Sequence, residues 1–239
     1  MIKTENIDYA DGNVALEGYC AYDASQTGKK PAVLVVHDWS GRNDFACRKA
    51  EKLAQLGYVG FALDMYGKGK SGKTKEEKSA LMSPLVHDRL ALQKRILAAF
   101  DTVNKLPFVD TNKIGVIGFC FGGLCALDLA RSGADVKGVV SFHGLLHAPE
   151  DVPPSNIIAK ILALHGFDDP MVTADHVMAF GEEMTEKKVD WQLTMYGHAM
   201  HAFTNPDAND KDFGTVYNNL ADSRSWIAMK EFFREAFGS

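Results

Sequence analysis

Lys113-Ile114-Gly115-Val116-Ile117-Gly118-Phe119-Cys120-Phe121-Gly122-Gly123 decides how this chain is read. A short apolar, β-branched run enters a Gly-rich turn at Cys120 and leaves it into Leu124 to Arg131, a helical composition. The pattern G-x-C-x-G between a strand and a helix is that of a nucleophile elbow. The turn is so tight that the residues two before and two after the raised one must be small, and both are Gly. Such a turn lifts residue 120 above a sheet, at the N-terminus of the next helix. There the unpaired amides and the helix dipole favour negative charge, and the thiolate is the nucleophilic form of a cysteine. The plain alternative is a small core cysteine beside a Gly-rich turn, common for free cysteines. Cys125, one turn later between Leu124 and Ala126, fits that plain description.

On both sides of this stretch, apolar runs alternate with helical patterns. Ala32 to His37, Tyr58 to Asp64, Lys113 to Phe119, Val136 to His143, Ile158 to His165 and Trp191 to Tyr196 read as strands. Asp44 to Leu56, Arg89 to Leu106, Gly122 to Arg131, Thr173 to Lys187 and Asp222 to Phe237 read as helices. Asn13 to Tyr22 alternates polar and apolar residues and suits an edge hairpin. Continuous apolar strands separated by helices predict an α/β fold, a mostly parallel central sheet of about eight strands flanked by helices, in a single domain over residues 1–239. Tyr66 to Thr74 reads as an exposed loop. Its Gly67 to Thr74 segment formally matches G-x-x-x-x-G-K-[ST], but it is built of generic loop residues and lacks the strand-led unit a phosphate loop needs.

In an open α/β sheet, ligands bind beyond the carboxyl ends of the strands, so those ends carry the search. His165-Gly166-Phe167-Asp168-Asp169-Pro170 follows a late strand, where this architecture places the acid that orients a histidine. Asp169 fits better than Asp168, with Gly166 making the turn and Pro170 fixing the exit. Gly197-His198-Ala199-Met200-His201-Ala202-Phe203 follows the last strand and offers the histidine. His201 is preferred to His198; two imidazoles without a third ligand make a poor metal site, and no metal is expected. His37-Asp38-Trp39-Ser40-Gly41-Arg42-Asn43 follows the first central strand, whose loop supplies one amide of an oxyanion hole. The hole is assigned to the N–H groups of Trp39 and Phe121.

The bulk properties narrow the classes. A net charge of −5 argues against a nucleic-acid surface. No apolar run reaches the roughly 20 residues of a membrane span, and the first residues lack the apolar stretch of a secretory signal. A cytoplasmic location follows as an expectation. The four cysteines, Cys20, Cys47, Cys120 and Cys125, form no C-x-x-C pair and are expected to be free thiols.

With these residues in place, the chain resembles the dienelactone hydrolase family, the carboxymethylenebutenolidase-like α/β-hydrolases. The resemblance rests on His37-Asp38-Trp39-x-Gly41, Gly118-Phe119-Cys120-Phe121-Gly122-Gly123, Gly166-x-x-Asp169-Pro170 and Gly197-x-x-x-His201-x-Phe203, and spans nearly the whole chain. It implies a catalytic triad of Cys120, Asp169 and His201, an acyl-enzyme route for small esters or lactones, and no cofactor. The family often carries Glu at the position of Asp38, a carboxylate that holds the resting thiol; Asp is one methylene shorter. Family members acting on dienelactone also hold a substrate carboxylate with an arginine shortly after the histidine loop. Here that stretch reads Thr204-Asn205-Pro206. Arg42, Arg89 and the lysines at 68–73 have no position assigned by sequence. The two departures leave one alternative from a different class, a non-hydrolytic small-molecule binding or sensing protein on the same fold.

Overall fold

The computed structural model describes residues 1–150, 152–153 and 155–238. Among these residues the chain order is β1 (Ile2–Asp11), β2 (Val14–Asp23), β3 (Lys30–Val36), α1 (Asp44–Gln55), β4 (Val59–Leu63), α2 (Lys75–His87), α3 (Arg89–Asn104), β5 (Val109–Phe119), α4 (Phe121–Arg131), β6 (Gly138–Phe142), β7 (Lys160–Gly166), α5 (Ala174–Glu186), β8 (Trp191–Tyr196), β9 (Asn209–Asp210), β10 (Thr215–Val216) and α6 (Asn219–Ala236).

Eight strands form one sheet in the order β1-β2-β4-β3-β5-β6-β7-β8. β2 runs antiparallel to β1 and to β4, and every pairing from β4 to β8 is parallel. Both faces of the parallel strands are buried, which is why they read as continuous apolar runs. On β3, Ala32, Leu34 and Val36 enter one core while Val33 and Val35 enter the other. On β5, Ile114 and Val116 face the first core, Ile117 and Phe119 the second. A slip of one residue would exchange the two sets and force each into a core shaped for the other, so side-chain packing sets the register. α1 and α6 cover one face, with Ala46, Leu53, Met229 and Phe233 in its core. α3, α4 and α5 supply the other, through residues such as Ile96, Leu127 and Phe180. No helix of the described residues is long and apolar enough to cross a membrane.

Two elements depart from the sequence reading. The edge hairpin expected at Asn13 to Tyr22 is present with β2 as its inner strand, but its outer strand β1, paired from Ile2↔Asp23 to Asp11↔Val14, has no counterpart in the sequence reading. β1 lacks a clear apolar period because none of its residues is fully buried and its inner face carries Glu5 and Asp11 beside Ile7 and Tyr9. Second, a helix, α2, follows the loop ending at Thr74. Its capping box is written in the sequence: Thr74 Oγ1 accepts Glu77 N–H (3.2 Å) and Glu77 Oε2 accepts Thr74 N–H (3.2 Å). Only Leu85 of this helix is buried, so it has no apolar stripe to betray it.

Candidate active site

β5 ends beside β3 and β6, and the chain reverses into α4 at Cys120. That residue has φ 56° and ψ −118°, a conformation that costs an L-residue about 1–3 kcal/mol. Space makes the flanking glycines obligatory. A Cβ on Gly118 would stand 1.9 Å from Gly122 O, and one on Gly122 would stand 2.3 Å from Val36 O of β3. Cys120 is the N-cap of α4, yet its side chain makes no capping bond, so the sulfur at the positive end of the helix is not spent on the helix amides.

The histidine arrives from the loop after β8. His201 is buried, and its Nδ1–H donates to Asp169 Oδ2 at 2.7 Å. Asp169 follows β7; its Oδ1 accepts Met171 N–H at 2.8 Å, so both carboxylate oxygens are engaged. His201 Nε2 is left without a hydrogen bond. The Cys120 sulfur is close enough to act on it electrostatically, in a contact looser than a formed hydrogen bond, as is common before substrate binds. Burial works against the charge on this imidazole, but the Cys120 charge and the Asp169 hydrogen bond outweigh it and raise its pKa to about 10. The competing pair lies elsewhere: His198 is 98% exposed, and its Nδ1 is 3.8 Å from Asp168 Oδ2.

Cys120, His201, Asp38 and Trp39 line one cavity of about 310 Å³, within the range of small-ligand sites. The loop bearing Trp39 is braced from below. His37 Nδ1–H donates to Asp38 O at 2.5 Å, its Nε2 accepts Met65 N–H at 3.2 Å, and Tyr66 Oη–H donates to Trp39 O at 3.1 Å. Phe121, the first residue of α4, carries one of the four helix amides with no intrahelical acceptor. Asp38 Oδ1 accepts Ser40 N–H at 2.7 Å. No hydrogen bond between Asp38 and the Cys120 sulfur occurs among the described residues.

The cavity's cations come from α2. Lys75 Nζ lies 4.2 Å from the Phe213 ring centroid and 2.7 Å from Asp210 Oδ2; Lys78 Nζ lies 5.5 Å from the Trp39 ring centroid. Trp39 and Phe213 stack at 5.5 Å. Arg42 is instead paired with Glu17, and Arg89 binds Asp128 through Nε and Nη2, both at 2.6 Å, away from the cavity. Among the described residues no group of three or more His, Cys, Asp or Glu side chains is arranged to hold a metal ion. Sequence reasoning also passed over His143, a buried residue of the cavity wall. It stands directly after β6, at the carboxyl end of a strand, and that position was the available signal.

Comparison with known proteins identifies the family and the fold. The model of the dienelactone hydrolase family matches residues 16–237. The solved structure of m3DLH is 39% identical, with a TM-score of 0.93 over 98% of both chains. A dienelactone hydrolase-like promiscuous phosphotriesterase from metagenomic libraries is 36% identical, with a TM-score of 0.92, again over 98% of both chains. The carboxymethylenebutenolidase homolog of Xenopus tropicalis is 27% identical over 218 residues, 89% of this chain and 86% of its own.

Proposed function

Because the chain belongs to the dienelactone hydrolase family, and is thereby a carboxylic ester hydrolase, we propose that it cleaves small esters or lactones through an acyl-enzyme on Cys120. The family membership sets aside the non-hydrolytic binding alternative. The observation that carries the mechanism is a sulfur at the N-terminus of α4 sharing a cavity wall with His201, whose far nitrogen is held by Asp169 at 2.7 Å.

In the proposed reaction the Cys120 thiolate attacks the substrate carbonyl carbon, a C–S bond forms, and the carbonyl π pair moves onto oxygen. The N–H groups of Trp39 and Phe121 stabilise that oxyanion; losing one such donor typically costs about 3–4 kcal/mol. Collapse expels the alkoxide, which takes the proton from His201 imidazolium. A water molecule then gives a proton back to His201 and adds to the thioester. The second tetrahedral species expels the thiolate and releases the carboxylic acid. Asp169 holds the imidazole in the tautomer that points Nε2 at the reacting atoms. Asp38 shapes the turn through Ser40, and we assign it influence on the resting thiol through the field in the cavity it shares. The four cysteines are free, which fits the reducing cytoplasm proposed for the enzyme.

Iodoacetamide near neutral pH tests the reading. Burial pushes the Cys20 thiol up to about 12, the Cys125 thiol well above its ordinary value and the Cys47 thiol upward, so those three should react slowly. Cys120 should be alkylated first and selectively, with loss of esterase activity in step. Slow labelling spread evenly over all four thiols would refute the assignment.

A further inference from the structure

His143 holds the two halves of the site together. It is 2% exposed, directly after β6, with φ 40°, and its own N–H is tied to Leu164 O at 2.8 Å. The Cys120 N–H is shared between Phe142 O at 3.1 Å and His143 Nδ1 at 3.2 Å. A backbone amide only donates, so Nδ1 carries the lone pair and Nε2 carries the proton. That proton goes to Thr204 Oγ1 at 2.8 Å, a buried hydroxyl three residues beyond His201. The ring also meets His201 edge-on at 5.3 Å and Phe203 at 5.0 Å. Burial, and then the neighbouring His201 charge, push its pKa well below the ordinary imidazole value, in keeping with the neutral tautomer its partners require.

We infer that His143 is a positioning residue, a neutral imidazole strut that fixes the nucleophile turn at Cys120 relative to the loop bearing His201. The inference rests on the reading of Cys120 as nucleophile. One end of the strut restrains a backbone in a strained conformation; the other restrains a loop that itself passes through a left-handed residue, Ala202 at φ 58°. Neither contact involves substrate. The strut acts by setting where sulfur and Nε2 meet, and misplacement of reacting groups by about 1 Å can cost roughly a hundredfold in rate. Because it stays neutral, it also leaves His201 as the proton acceptor beside the sulfur.

The test uses the full chain with His143→Phe, Thr204→Val, the double variant, and His143→Asn, which keeps a short acceptor toward the Cys120 amide. Aryl acetate turnover, the pH profile of Cys120 alkylation by iodoacetamide, and thermal unfolding are read for each. His143→Phe should lower kcat about a hundredfold with KM little changed and shift the alkylation profile. His143→Asn should recover part of that loss. Thr204→Val should cost activity on its own but nothing further in the His143→Phe background, since the two residues share one interaction. Unchanged kcat and unchanged alkylation profiles in His143→Phe and Thr204→Val would overturn the inference. If His143→Phe does not fold, Thr204→Val, which removes a single acceptor, decides alone. The alkylation profile needs no turnover. If wild type and Cys120→Ala hydrolyse ester equally, the reading of the nucleophile fails, while the profile still says whether the strut exists.

Discussion

Cys120→Ala should bring hydrolysis of a small activated ester down to background, a loss of about a millionfold in kcat, the scale seen when a triad nucleophile is deleted in other hydrolases. The cause is specific. Alanine keeps the turn, the amides proposed for the oxyanion hole and the cavity, so binding and folding should persist while the proposed bond-forming atom is gone. Cys120→Ser should keep some activity, because the elbow presents either atom to the same imidazole. Steady-state kinetics of the three proteins, with thermal unfolding as a control, checks this. Substantial turnover in the alanine protein would mean that hydrolysis occurs elsewhere.

Asp169→Asn should lower kcat by about a thousandfold to ten-thousandfold, as removal of the orienting carboxylate does in serine triads. The amide can present an N–H where Nδ1–H needs an acceptor, turning the imidazole to the wrong tautomer. The pH dependence gives a sign as well. Burial works against the His201 charge, and the Cys120 charge and the Asp169 carboxylate overcome it to reach about 10. Without the carboxylate the value falls, so the alkaline limb of kcat/KM should move to lower pH. Linkage predicts the corresponding stability change. A histidine raised from 6.5 stabilises the fold fully below that value and loses the contribution as pH rises toward 10. The stability gap between wild type and Asp169→Asn should therefore narrow in alkali. An alkaline limb that stays in place would contradict the role given to Asp169.

The parts of this protein legible in its sequence are those where one geometry admits few residue types. Gly118 and Gly122 announce the elbow because no Cβ fits at either place, and the apolar runs of β3 to β7 announce a sheet buried on both faces. The preference for Asp169 over Asp168 and for His201 over His198 follows from loop position; in the fold one pair is buried at 2.7 Å and the other exposed at 3.8 Å. What sequence missed depends on long-range packing. α2 is almost wholly exposed and carries no stripe, so Lys75 and Lys78 reached the cavity unannounced, although the Thr74 and Glu77 capping box was present. Phe213 becomes a wall only by stacking on Trp39, 174 positions earlier in the chain. His143 looks like any polar residue at a strand end until Cys120 and Thr204 close on its two nitrogens. Arg42 and Arg89, basic and conspicuous in sequence, turn out to be committed to Glu17 and Asp128.

The most direct measurement is acid quenching of the wild-type enzyme during turnover of an aryl ester, followed by intact-mass and peptide mass spectrometry. One acyl group per chain, carried by the peptide containing Cys120 and lost with the kinetics of turnover, is the predicted result. An acyl group on any other side chain, or steady hydrolysis by the Cys120→Ala protein with no adduct at all, would contradict it.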